Sequence, residues 1–135
     1  MTPSGRERLL ERFNRNPPAA PESVHLAEAE AHLRLPVGYS EFMRGANGGE
    51  GFVGKAYVIL WRVEELVPLN QAYEVAEYAP GLFLFGSDGG GEAFAFDTRA
   101  DRKPVASVPF VGMDLNLVSP IAPDFDAFLE ALAAS

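Results

Sequence analysis

The sequence predicts an α+β fold: a mainly antiparallel sheet of about four to six strands covered by helices, with helices flanking it at the N- and C-terminal ends. Two observations carry that expectation. Hydrophobic periodicity changes in a set order along the chain, from helical stripes, to strands with a helical insert, to a closing helix. The stretch LFLFGSDGGGEAFAFD, residues 82–97, places two short apolar runs around a glycine-rich reversal. Glycine takes positive φ at no steric cost, so this stretch reads as a hairpin at the centre of the sheet.

Each element follows from its own pattern. Ser4 and Glu7 have capping-box spacing ahead of Leu9, Leu10 and Phe13, so a short helix is expected over residues 5–14. Pro17, Pro18 and Pro21 follow as a stiff link. Residues 1–21 thereby form an N-terminal extension, and residues 22–133 a single domain. Pro21-Glu22-Ser23 opens a helix with Val24, Ala27 and Ala31 on one stripe, ended by Leu35-Pro36. Tyr39, Phe42, Met43 and Ala46 repeat at i, i+3, i+4 and i+7 in the next helix. Asn47-Gly48-Gly49 stops it, with a glycine suited to a left-handed cap.

Residues 56–61, AYVILW, are the first strand, and Trp61 at its end is expected to be largely buried. A helical turn or two follows over residues 63–78, broken near Pro68. After the hairpin, residues 105–111 make a third main strand, interrupted by Pro109 and therefore at an edge or a bulge. Residues 115–118 add a short piece. Asp124 caps a last helix with Phe125, Phe128, Leu129 and Leu132 on one face.

Composition narrows the function classes. A chain of 135 residues is one domain by length, and 47% hydrophobic content with ten Phe supplies a core. There is no cysteine, hence no disulfide framework, thiolate metal site or cysteine nucleophile. The first residues lack the apolar run of a signal peptide, and no segment reaches the roughly 20 apolar residues of a membrane span. The expectation is a soluble, cytoplasmic protein.

The net charge of −8 is unevenly placed. Residues 1–16 carry four Arg and two Glu. Residues 63–98 carry no Lys or Arg but seven acids, Glu64, Glu65, Glu74, Glu77, Asp88, Glu92 and Asp97. Such a field repels nucleic acid and attracts basic partners; the bland alternative is a solvated surface that aids solubility.

The glycine-rich loop does not carry nucleotide chemistry. A dinucleotide fingerprint needs a helix after the glycines, and here Phe94 and Phe96 follow at strand spacing. A phosphate loop needs Lys-Ser or Lys-Thr where Glu92-Ala93 stand. Asp88, Glu92 and Asp97 are hard oxygen ligands, but their spacing is not that of the twelve-residue calcium loop. His25, Glu28 and His32 share a stripe at i, i+3 and i+7, whereas a metal pair on a helix more often uses i, i+4 and needs a further ligand that is not evident, so the two histidines read as surface residues. No serine sits in a G-x-S-x-G elbow, and adjacent acids such as Glu64-Glu65 are ordinarily just solvated. No catalytic residue, metal or cofactor is expected, and a metal-dependent or hydrolytic enzyme is the weaker alternative.

Several motifs then line up in one order: Leu35-Pro36 with Tyr39 and Phe42, Asn47-Gly48-Gly49, the run from Leu84 through Gly86, Gly90, Gly91 and Glu92, and the closing helix with Phe125 and Phe128. This arrangement resembles the SUKH superfamily, which includes fungal cell-wall assembly regulators and many bacterial immunity proteins. The resemblance covers about residues 22–133 and leaves the front segment outside.

The resemblance implies an α+β fold without catalysis and a protein partner. That partner is a toxin domain neutralised by direct binding, or the target of a housekeeping regulatory module. Leu35, Pro36, Asn47, Gly48, Gly49, Gly86, Gly90 and Gly91 match its motifs and are implied to be architectural. For partner binding, the charge pattern points to Glu50, Glu64, Glu65, Asp88 and Glu92, carboxylates that would mimic a phosphate backbone toward a basic toxin face if they share a surface.

Overall fold

A computed structural model of the chain describes residues 3–135, with side chains described from residue 5. Its seven strands are β1 (Phe13–Arg15), β2 (Gly49–Val53), β3 (Ala56–Leu60), β4 (Leu82–Ser87), β5 (Glu92–Asp97), β6 (Val105–Pro109) and β7 (Ser119–Ala122). They form one sheet in the order of the chain, every neighbouring pair antiparallel. The helices are α1 (Pro3–Leu9), α2 (Pro21–Ala31), α3 (Val37–Gly45), α4 (Val63–Ala72), α5 (Val75–Tyr78) and α6 (Phe125–Ala134). The fold is α+β as expected, and β4 and β5 form the central hairpin.

The sheet exceeds the expected four to six strands because β1 and β2 were masked by their sequences. The first helix ends at Leu9 rather than at residue 14, and Phe13–Arg15 become an edge strand on β2. The Ser4 side chain of the expected capping box lies outside the described residues. In β2 (GEGFV) two glycines depress strand propensity, yet their bare backbones let Phe13 of β1 close over them.

The helix after β3 is not broken at Pro68. α4 runs through it, and the break comes at Glu74, held at φ +54°. Two side chains clamp α4 on either side of the proline. Asn47 accepts from the Val63 N–H at 2.8 Å, and Asn70 exchanges two hydrogen bonds with the Leu84 backbone at 2.8 and 3.0 Å. These hold the helix while Pro68 forgoes one bond. Residues 115–117 form a 3-10 turn instead of a strand piece, and the strand lies beyond it at Ser119–Ala122. Pro109 sits at the last position of β6, where β7 no longer pairs, so its missing N–H costs the ladder nothing. Asp124 caps α6, its carboxylate accepting from the Ala127 N–H at 2.8 Å.

α3 and α6 bury an aromatic cluster against the central strands. Tyr39 lies 5.5, 5.0 and 5.3 Å from the rings of Phe85, Phe96 and Phe125, and Phe85 stacks on Phe96 at 4.4 Å. The Tyr39 hydroxyl is fully buried and finds no hydrogen-bond partner, and burial pushes its phenol pKa far up. At the front of the chain, Arg6 binds Asp126 of α6 at 2.6 Å.

Candidate functional site

Strand alternation leaves part of the sheet open. In β2, Gly49, Gly51 and Val53 turn inward while Glu50 and Phe52 turn outward, opposite Ile59 and Tyr57 of β3. The cross-strand row Asn14, Glu50 and Ile59 continues this open face and ends at the buried Ser87. A cleft of about 620 Å³ lies over it, walled by Glu50, Tyr57 and Trp61 with Arg15, Arg62 and Glu65. The Tyr57 hydroxyl donates to the Glu50 carboxylate. That bond, helped by slight desolvation and by the carboxylate charge, holds the phenol above its ordinary pKa. Trp61 is buried as expected, at 8% exposure. Its ring stacks 6.3 Å from Tyr73, which packs 4.7 Å from Phe110, so the cleft is flanked by a line of aromatic rings.

Of the acids singled out from charge, Glu50 and Glu65 meet in this cleft. Glu65 also reaches back to accept from the Arg62 N–H at 2.9 Å, closing the first turn of α4. Glu64 turns elsewhere, accepting from the Asn47 side-chain amide at 2.6 Å and lining a hollow between α2 and α4. Asp88 folds onto its own loop, accepting from the Gly90 and Glu92 N–H groups at 2.8 and 3.2 Å. Glu92 alternates to the Phe94 side of β5, whereas the open-face row meets β5 at Ala93. One strand position therefore separates its face from that of Glu50.

The motif residues hold the scaffold under this surface. Leu35 is buried beside the first turn of α3, and its N–H donates to Glu28 at 2.8 Å. Asn47, 7% exposed, donates its backbone N–H to the Pro17 carbonyl at 3.0 Å besides binding Val63 and Glu64. Gly48 has φ +73°, but α3 has already ended at Gly45 with an extended Ala46, so the glycine shapes the entry to β2 instead of forming the helix cap expected of it. A Cβ there would stand 2.4 Å from the Leu60 carbonyl oxygen, and one on Gly86 would stand 2.3 Å from that of Ile59. Gly90 and Gly91 meet no such constraint from other segments.

Sequence reasoning missed Glu30, Glu74 and Glu77 as partners of Glu64 on one side of the molecule. The signal was present, since residues 16–33 also lack Lys and Arg and contain Glu22, Glu28 and Glu30. α2 packs along α4 and α4 meets α5. These three helices contain no Lys or Arg. His25 and His32 are exposed at α2, His25 3.7 Å from Glu28. Among the described residues no group of three or more His, Cys, Asp or Glu is placed to hold a metal ion. No described helix is long and apolar enough to cross a membrane.

Residues 18–131 match the model of the SMI1 / KNR4 family (SUKH-1). No curated protein matches the chain.

Proposed function

The chain belongs to the SMI1 / KNR4 family (SUKH-1), a family of protein-interaction domains, and on that premise we propose that it is a non-enzymatic, cytoplasmic immunity protein that neutralises a bacterial toxin by direct binding through an acidic surface. The carrying observation is the charge of α2, α4 and α5. α2 and α5 each pack against α4, and the three lack Lys and Arg and expose Glu22, Glu30, Glu64, Glu65 and Glu77. Carboxylates so arranged repel nucleic acid and steer a cationic protein face toward the domain, as a phosphate backbone would. The acids to test first are Glu50, Glu64, Glu65, Asp88 and Glu92, together with Glu22, Glu30 and Glu77 of these helices.

The experiment identifies the partner by pull-down, then measures association rates at low and high salt for wild type and for Gln or Asn variants of those acids. Steering of this kind is worth about 10- to 1000-fold in rate and fades with salt. Slower association of the variants at low salt, converging with wild type at high salt, supports the reading. Association indifferent to both salt and neutralisation overturns it. A partner that is a resident cellular protein and no toxin moves the assignment to a regulatory module.

A further inference from the structure

We propose that the groove along α2, α4 and α5 binds a positively charged amphipathic segment of a partner protein, with apolar side chains on its floor and Lys or Arg along its rim. The inference rests on the protein-binding reading above and assigns it to one surface. Two adjoining hollows, of about 570 and 260 Å³, share Glu30 and Val67 in their walls and so run into one another. Their floor includes Leu33, Val67, Val75 and Phe83, and Leu26, 60% exposed, stands at the far end. The rim carries Glu30, Glu64, Glu74 and Glu77, and no Lys, Arg or His lines either hollow.

These carboxylates are not neutralised from within. Among the described residues, Glu30, Glu74 and Glu77 have neither a salt bridge nor a side-chain hydrogen bond. Arg99 stacks its side chain beside Gly81 at the groove's end, but Asp97 takes up its guanidinium through bonds of 2.9 and 2.8 Å. A merely solvated acidic face needs no apolar floor, and an apolar floor alone favours no charge. Together they select a cationic amphipath, laid in as a helix in a groove or an equivalent segment. The sheet-face cleft lacks this selectivity, since Arg15 and Arg62 stand beside Glu50 and Glu65 there.

The test uses the full chain and a labelled amphipathic Leu/Lys peptide of about 18 residues, some five helical turns. A peptide of the same composition, scrambled to abolish its apolar face, is the control. Titrations are run on wild type, on Glu30→Gln/Glu74→Asn/Glu77→Gln, and on Glu41→Gln/Glu130→Gln, a control pair of exposed acids that line neither hollow; Asn is used at Glu74 because it tolerates that residue's left-handed backbone. Melting temperatures establish that the variants are folded.

The proposal expects amide shift changes along α2, α4 and α5, and binding weakened roughly tenfold by the groove substitutions. It also expects weaker binding of the scrambled peptide and no change from the control pair. Shifts mapped to the open sheet face, equal binding of the scrambled peptide, or wild-type affinity of the groove variant each overturn it. If the groove variant is indifferent while the natural partner still associates in a salt-dependent manner, the groove assignment falls and the acidic-surface reading stands.

Discussion

The cleft over β2 and β3 sets Arg15 and Arg62 beside Glu50 and Glu65, whereas the groove along α2, α4 and α5 sets Glu30, Glu64, Glu74 and Glu77 together with no cation. Both regions draw acids from the cation-free section of the chain, and only one is acidic as a surface. The cleft is bounded by β1, which the arginine-rich front of the chain supplies. The groove is bounded by α2, which comes from a second cation-free run. A local charge count thus says little about a face until the packing partner of each element is known.

The two regions meet at Asn47-Gly48-Gly49, so the largest effects come from breaking that junction. Gly48→Val forces a β-branched side chain into φ +73° and drives its Cβ onto the Leu60 carbonyl. A loss of about 3 kcal/mol is expected, from strain plus overpacking. An unchanged midpoint in urea unfolding would show that β2 and β3 can separate there at little cost.

Asn47→Ala removes the side-chain cap of α4 and leaves Glu64 without its 2.6 Å donor. A loss of about 2 kcal/mol follows. Hydrogen exchange locates it: faster exchange at the start of α4 is expected, with β5 and β6 unaffected short of global unfolding. Uniform acceleration would mean that the junction serves the core and not the groove wall.

Tyr39→Phe, in the aromatic cluster that α3 and α6 bury against the central strands, is expected to raise stability by about 1 kcal/mol. The hydroxyl it deletes is buried and unpartnered. A loss of similar size would reveal a partner for that oxygen, such as a buried water.

Gly91→Ala, in the loop beyond the cleft, meets nothing within 4 Å and has no positive φ. A change within roughly 0.5 kcal/mol, or a small gain, is expected by thermal melting. A loss comparable to that of Gly48→Val would show that the hairpin tip is as constrained as the junction.

The smallest effect is a titration. The Tyr57 phenol is raised by its bond to Glu50, so that bond is present below the ordinary phenol range and is lost as pH rises through the raised value. Glu50→Gln should bring one tyrosine back toward a pKa of about 10, read from phenolate absorbance. A superimposable curve would mean that the two residues of the cleft do not interact in solution.

Local patterns made much of the fold legible. Strand periodicity exposed the central hairpin, helical stripes exposed α2, α3 and α6, and Asp124 marked its own cap. β1 and β2 were hidden because a three-residue edge strand and a glycine-studded strand have weak propensities of their own. α4 was legible only as a turn or two broken near Pro68, because proline argues against a continuous helix; Asn47, from outside, and Asn70, from within, help to hold it unbroken. Among the acids, Glu65 and Glu64 are adjacent in sequence, yet one enters the cleft and the other the α2–α4 hollow.

The linear chain specified the α+β class, the central hairpin, the aromatic residues of the core and an excess of carboxylate, without Lys or Arg, over residues 63–98. These follow from period, turn chemistry and composition, which act over a few neighbouring residues. Tertiary structure alone decided which carboxylates share a surface. Antiparallel register sent Glu50 and Glu92 to opposite faces, and the packing of α2 on α4 brought Glu30 to Glu64 from a distant part of the chain. Both depend on contacts between segments far apart in sequence, and no local pattern encodes which segments those will be.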